Sequence, residues 1–600
     1  MNWRSGSLSV WLCIASGTAL QAQSTVRVSV GPGGAQGGGA SSFPEISDDG
    51  RTVAFHSVAP NLVPGDTNGA SDVFARDRVT GATELVSVGL GGAPGNNLSE
   101  SPSISADGRY VAFDSLASNL VPVDANPTFD VFVRDRLNGS TELVSVDSAG
   151  GAANGDCYYP AISADGRFVA FVSNAGNLVP GDTNADFDVF VHDRMTGTTE
   201  RVSVDSNGAQ ADSASDWCAI SADGRFVVFS STATNLVPGD TNGDYDVFLR
   251  DRQTGVTECI SVDAAGIPGN GFSDVSSISG DGRFVAFTSL ASNLVPGDTN
   301  ATYDAFLRDR QAGTTERVSL STGGAEGDHG GIARTVSPDG RYVAFSSFST
   351  NLVPGDTNGV TDVFVRDRVG GTTLRVDVDS LGGQTNQTSG LAGRKAMSPD
   401  GRFVAFESYA SNLVPGDTNG AVDVFVHDVL GSPDFTSLCD PGVAGVLPCP
   451  CANPPAGPGQ GCDNSAATGG AILSAAGGTS VSSDSLEFTT SGETPTALSV
   501  VMQGSSFVAS GVVYGQAVRC VGGSVKRLYT RNASGGSVTA PDIGAGDPAV
   551  SVRSAARGDV IQPGQSRWYL VYYRDPVVLG GCPAGSTFNA TQSGRVDWGP

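Results

Sequence analysis

Short apolar runs separated by turn residues fill the chain from about residue 24 to 435. In one stretch, Ser101–Ser105 leads through Asp107-Gly108 to Tyr110-Val-Ala-Phe113, then to Asp130-Val-Phe-Val-Arg-Asp135 and Thr141-Glu-Leu-Val-Ser-Val146. Alternating apolar positions in runs this short fit strands with one face buried, and Asp-Gly and Asn-Gly pairs fit hairpin turns. The stretch therefore predicts four consecutive antiparallel strands.

The same order recurs seven times. The units open on Ile46-Ser-Asp-Asp-Gly50, Ile104-Ser-Ala-Asp-Gly108, Ile162-Ser-Ala-Asp-Gly166, Ile220-Ser-Ala-Asp-Gly224, Ile278-Ser-Gly-Asp-Gly282, Val336-Ser-Pro-Asp-Gly340 and Met397-Ser-Pro-Asp-Gly401. Successive openings lie 58 residues apart five times and then 61. Equal four-stranded units in this number predict a β-propeller. The seventh unit runs through Asp423-Val-Phe-Val-His427 into Gly431-Ser-Pro433 without a fourth strand, while Thr25-Val-Arg-Val-Ser-Val30 supplies that strand at the N-terminus. A ring whose first strand completes its last blade requires this displacement and leaves no exposed sheet edge. The expected fold is all-β: a seven-bladed propeller over residues 23–435, its last blade closed by the N-terminal strand, then a smaller disulfide-containing β-sandwich-like domain.

The runs Ser337-Pro-Asp-Gly-Arg-Tyr-Val-Ala-Phe345 and Ser398-Pro-Asp-Gly-Arg-Phe-Val-Ala-Phe406 resemble the PD40, or TolB-type, WD40-like propeller repeat. That family includes periplasmic binding proteins and propellers attached to peptidases, so the resemblance implies the fold and leaves function open.

Between the second and third strands each unit carries an acidic loop. It reads Asp66-Thr-Asn68 with Asp72, Asp182-Thr-Asn184 with Asp188, Asp240-Thr-Asn242 with Asp246, Asp298-Thr-Asn300 with Asp304, Asp356-Thr-Asn358 with Asp362, and Asp417-Thr-Asn419 with Asp423. The second unit departs, with Asp124-Ala-Asn126-Pro127 and Asp130. Oxygen ligands at positions 1, 3 and 7 of a tight loop suggest Ca2+, with backbone carbonyls or water completing the shell. Asx turns that cap their own backbone are the competing reading, since the set lacks a bidentate Glu. Because these loops and the variable inter-blade links, such as Gly91–Glu100, share one end of the ring, that end is the expected binding face. The Asp-Gly turns and the Arg-Asp-Arg tripeptides, such as Arg134-Asp-Arg136, recur in nearly every unit and read as structural.

A formal net charge of −27 argues against nucleic-acid partners, which need clustered Lys and Arg. Residues 1–22 place Arg4 ahead of the apolar stretch Leu8–Leu20 and end on Ala22, the layout of a secretory signal. No later apolar run reaches the length of a membrane helix, so no membrane insertion is expected. After Pro433, Cys439, Cys449, Cys451 and Cys462 lie in a Pro/Gly-rich linker over 436–463, and Cys520 and Cys582 fall in the domain over 464–600. Up to three disulfides fit an exported chain, with pairing left open. The endings Tyr573-Arg-Asp-Pro576 and Phe588-Asn-Ala-Thr591 resemble a module on varied secreted bacterial proteins.

No Gly-x-Ser-x-Gly elbow and no His-Glu-x-x-His motif occurs, and His56, His192, His329 and His427 are scattered. His192 and His427 occupy equivalent repeat positions, which suggests surface substitution. The chain reads as a secreted, non-enzymatic propeller that recognises a protein or glycan or serves surface architecture, with Ca2+ as the suggested cofactor. An extracellular polysaccharide-degrading enzyme with an acidic site at the channel mouth is the alternative.

Overall fold

The computed structural model describes residues 24–429 except 125 and 381, and beyond them 436–437, 449, 462, 471–476 (side chain of 474 excepted among others) and most of 486–598. The proposed signal, most of the linker, and Cys439, Cys451 and Cys582 lie outside the described residues. One compact unit spans Gln23–Val429, and Leu430–Pro600 belongs to a second.

The first unit is built from seven four-stranded antiparallel sheets. In repeat unit one the strands are Ser41–Ile46, Thr52–Ser57, Asp72–Asp77 and Ala82–Leu85, paired in chain order. Unit seven contributes only Ser389–Gly390, Phe403–Ser408 and Asp423–Asp428, and Ser24–Arg27 completes its sheet with Val26 opposite Val426 and Arg27 opposite Phe425. Outer strands are shorter than the sequence pattern suggests. In unit two the strand is Ser140–Leu143, because Ser145 Oγ turns inward to donate to Asp130 and accept from Val131 N–H.

Apolar faces of adjacent sheets form the core: Ala54, Val73 and Ala75 of unit one meet Val111, Phe113 and Phe132 of unit two, all essentially inaccessible. Burying whole side chains of this size stabilises by about 1.5–3 kcal/mol each. A second seam joins the sheets at the Asp-Gly turns. The Tyr110 ring packs on the turn of the next unit, where a Cβ added to Gly166 would lie 2.2 Å from Tyr110 Cδ2. Gly166 also sits at φ +73°, so glycine is required there twice over. Arg109 and Arg194 both lie over that ring, at 4.7 and 4.5 Å from its centre, a cation–π arrangement repeated at Phe168 and Phe226. The recurring Arg and Asp residues are thus framework: Arg109 grips Asp135 through two nitrogens, and this holds the Asp135 carboxyl down at about 2.

The second unit pairs Thr436–Ser437, Gly594–Asp597, Ser566–Arg574, Leu498–Gly504 and Lys526–Asn532 in that order, with Phe588–Ala590 also on Ser566–Arg574. A three-stranded sheet of Ile472–Ala476, Glu487–Ser491 and Thr539–Ala540 accompanies it. Phe488, Val501, Tyr569, Val571 and Trp598 share its core, and Tyr573 is fully buried as well. A short helix, Val550–Ala556, has no counterpart in the sequence reading and buries Val550 in the same core. Cys449 and Cys462 form a disulfide, Cys520 is also disulfide-bonded, and Cys157, Cys218 and Cys259 are free thiols. Among the described residues, no helix is long and apolar enough to cross a membrane.

Candidate functional sites in the acidic loops and the channel

The structure brings the three predicted residues of each loop together, and the Asn is the most committed of them. Its Oδ1 accepts from the backbone N–H two residues on, as Asn68 does from Ala70 and Asn126 from Thr128, which is an Asx turn. Its Nδ2 donates to a carbonyl of the inter-sheet link: Asn68 to Gly95, Asn126 to Ala153, Asn184 to Ala211, Asn242 to Gly269, Asn300 to Gly327, Asn358 to Thr385 and Asn419 to Gly37. The last Asp of each loop, Asp72, Asp130, Asp188, Asp246, Asp304, Asp362 or Asp423, is fully buried. In six units a Ser hydroxyl donates to it, as Ser87 does to Asp72 at 2.7 Å. In unit six that Ser is Asp377, itself fully buried. Burial and the neighbouring Asp362 push the Asp377 carboxyl well above its ordinary range.

The seven loops then divide into two kinds. In four of them an arginine of the outer strand bridges both carboxylates. Arg27 Nη1 lies 3.4 Å from Asp417 and 3.2 Å from Asp423, and Arg201 lies 3.3 Å from both Asp182 and Asp188. Arg317 meets Asp298 and Asp304, and Arg375 meets Asp356 and Asp362. Nine residues after each arginine stands Gln36, Gln210, Glu326 or Gln384; Gln36 and Gln210 donate to Asp417 and Asp182. The carboxylates of Asp298, Asp304 and Glu326 converge closely enough to hold a metal ion, but Arg317 Nη1 sits among them at 3.5, 3.1 and 2.5 Å.

The other three loops have Leu85, Leu143 and Cys259 at the arginine position and Pro94, Ala152 and Pro268 at the amide position. Their buried carboxylates keep no cationic neighbour, and burial pushes Asp72, Asp130 and Asp246 up to about 6. Asp356 is also pushed up to about 6, by burial and by Asp362 beside it.

The channel wall is formed by the first strands, which break register at a bulge in units one to six. Phe43, Ser101, Tyr159 and Trp217 sit there at φ +55°, +47°, +52° and +39°, strained positions for side chains other than glycine. Side chains of the preceding sheet capture amides freed at the bulges: Phe43 N–H donates to Glu407, Tyr159 N–H to Asp114 and Ala333 N–H to Thr288. Burial raises Asp114 to about 7. Tyr159 and Trp217 stack at 4.5 Å.

Unit seven has the 61-residue spacing, and its extra residues enter this channel. Arg394 reaches across the ring to the Tyr159 carbonyl at 3.3 Å, its guanidinium 5.2 Å above the Trp217 ring. The buried Glu45 carboxylate accepts from the N–H groups of Ile104 and Arg394, while Lys395 pairs with Asp48 at 2.6 Å. On the Asp-Gly-turn side of this aromatic layer lies a cavity of about 320 Å³, with Arg394, Lys395, Glu45 and Asp48 set against Ile162, Ile220 and other aliphatic groups. Its rim is laced by bonds from Asp48 N–H to the Ala106 carbonyl, Ala106 to Ala164, Ala164 to Ala222 and Ala222 to Gly280. Pro338 and Pro399 hold that position in units six and seven and have no N–H to give.

This cavity lies at the end of the ring opposite the acidic loops, the end that the loop pattern did not favour. The histidines also differ from expectation. His192 and His427 are buried, and each ring bonds a Thr hydroxyl where other units use Arg. The sequence reading missed the channel residues because Arg394 and Lys395 occur once and the wall position shared by Phe43, Ser101, Tyr159 and Trp217 changes from unit to unit; the signals available were the three-residue excess before Met397 and the aromatic residue at that position in three units.

No protein-family model and no curated protein matches the chain. Among solved structures it is similar to TolB from Acinetobacter baumannii, at 14% identity over 56% of this chain and 63% of that one, TM-score 0.32. The match thus spans less than two thirds of that TolB chain. It is also similar to an oligogalacturonate lyase from Vibrio parahaemolyticus, at 14% identity over 64% of this chain and 88% of that one, TM-score 0.39. The β-propeller domain of the Trilobed protease from Pyrococcus furiosus matches at 11% identity over 65% and 95%, TM-score 0.40.

Proposed function

We propose that this protein is a secreted, non-catalytic propeller that recognises a protein ligand in its channel cavity, with the acidic loops serving as architecture that takes Ca2+ as its ion. The supporting observation is the set of Arg394, Lys395, Glu45 and Asp48 around a cavity of about 320 Å³, inside walls otherwise built from repeated residues. Aliphatic side chains with a few fixed charges suit a peptide segment carrying both apolar and charged groups. Glycans would favour an exposed aromatic face, whereas Tyr159 and Trp217 are stacked on each other.

The test is binding of peptide and oligosaccharide panels to the full chain and to an Arg394→Ala/Lys395→Ala variant. Peptide ligands should weaken by about tenfold or more, equivalent to about 1.4 kcal/mol. Undiminished binding by the variant would remove the cavity from the account. The enzyme alternative draws on Glu45, whose carboxyl is raised by burial in the cavity wall. Oligosaccharide turnover lost in Glu45→Gln would establish it in place of the binding reading.

A further inference from the structure

The division of the acidic loops into two kinds says which of them needs an ion. Where Arg27, Arg201, Arg317 or Arg375 bridges the two carboxylates, the positive charge is already supplied by the chain. Units one, two and four lack both the arginine and the amide or acid that accompanies it. In units one and four the loop Asn still covers the buried carboxylate: Asn68 Nδ2 donates to Asp72 Oδ2 at 2.6 Å and Asn242 Nδ2 to Asp246 Oδ2 at 2.7 Å. Unit two is different. Asp130 is 0% exposed, yet its Oδ2 has no hydrogen-bond partner, and Asp124 Oδ1 across the loop is buried without one as well. Asn126 stands beside Asp130 and its Nδ2 donates to the Ala153 carbonyl, but unlike Asn68 and Asn242 it makes no hydrogen bond of normal geometry to the buried carboxylate; its nearness offsets only part of the burial penalty on Asp130. An unpaired buried carboxylate oxygen is costly, and the Asp124 charge adds to the burial that already raises the Asp130 carboxyl.

We propose that the unit-two loop binds one hard divalent cation, Ca2+ in preference, through Asp124 and Asp130, and that neither the four arginine-bearing loops nor the two loops whose Asn covers the buried carboxylate bind one. This rests on the reading of the acidic loops as ion-taking architecture and narrows it from seven loops to one. Two carboxylates supply the charge, and water or backbone carbonyls would complete an oxygen shell of six or more. Leu143 and Ala152 hold the places that Arg201 and Gln210 fill in unit three, so the ion stands in for an absent guanidinium.

Calorimetric titration of chelator-stripped full chain with Ca2+ alone tests this. One ion per chain should bind, and the thermal midpoint should rise with Ca2+. The double variant Leu143→Arg/Ala152→Gln, which installs the unit-three arrangement, should lose that uptake and melt in chelator at the midpoint of the Ca2+-loaded parent. Asp130→Asn should also lose uptake, and the double variant covers the case in which Asp130→Asn fails to fold. Uptake of several ions that persists in the double variant would overturn the single-site assignment while leaving ion-taking loops in place. No uptake by the parent would end both.

Discussion

The two ends of the ring are built on opposite principles. At the acidic-loop end, the same Asp, Asn and Ser recur in nearly every unit and do the same job, with Asn bonding a link carbonyl seven times over. On the channel wall, the residues of the preceding sheet that capture backbone amides change from unit to unit, carboxylates at Glu407 and Asp114 and hydroxyls at Thr288 and Ser346. A group present in every sheet solves a problem that every sheet has, whereas a group present once answers to something the sheets do not share. Departures from the repeat should therefore cost stability in the loops and serve recognition in the channel.

Three experiments can break or sharpen that contrast. The largest effect is expected from deleting residues 24–30, which removes the closing strand along with Arg27 and Ser29 from the unit-seven loop. It exposes the edge of Asp423–Asp428 and strips Val28 from the core, so thermal melting should show a loss of about 5 kcal/mol or more, or no folded protein. A variant that melts like the parent would mean the ring does not depend on its closure.

Asp377→Ser restores the repeat at its one break in the buried hydroxyl position and should stabilise by about 1–3 kcal/mol at neutral pH. The sign follows from linkage: burial and Asp362 raise the Asp377 carboxyl in the folded chain above its unfolded value near 4, so the folded chain holds its proton more tightly and the parent loses stability as pH rises above about 4. The gain should shrink to nothing in acid below that value, and denaturant titrations across pH will read it. Destabilisation at neutral pH would show that Asp377 has been kept for a reason other than tolerance.

The smallest effect on folding is expected for Arg394→Ala/Lys395→Ala. Arg394 Nη2 is buried without a partner, and Lys395 is partly exposed in its pair with Asp48. Loss of both should move stability by less than about 1 kcal/mol while removing binding. A large drop in midpoint would recast the pair as framework.

Much of this architecture was legible in the residues. The alternating runs and the Asp-Gly turns locate the strands, and the missing fourth strand of unit seven points to Thr25–Val30, whose first residues pair with Asp423–Asp428. The loop residues were legible as a set, but their partners were not, because Arg201 lies 13 residues beyond Asp188 and no local pattern ties the two. Once the sheets are aligned, the alternation of Arg27, Leu85, Leu143, Arg201, Cys259, Arg317 and Arg375 is plain in the sequence. The channel bulges were invisible for a different reason: Phe43, Tyr159 and Trp217 carry no turn chemistry, and their positive φ goes with a break in strand register rather than with any local turn pattern. The free thiols Cys157 and Cys218 are inert by burial, which pushes Cys218 up to about 12.

The account turns on which end of the ring receives the ligand, and hydrogen–deuterium exchange of the full chain with and without a bound peptide measures that directly. Slowed exchange is predicted along the first strands and the Asp-Gly turns, at Ser103–Ala106, Ala161–Ala164, Ala219–Ala222 and around Arg394. Protection confined to the loops from Asp66 to Asp72 and their equivalents, with the channel unchanged, would contradict it.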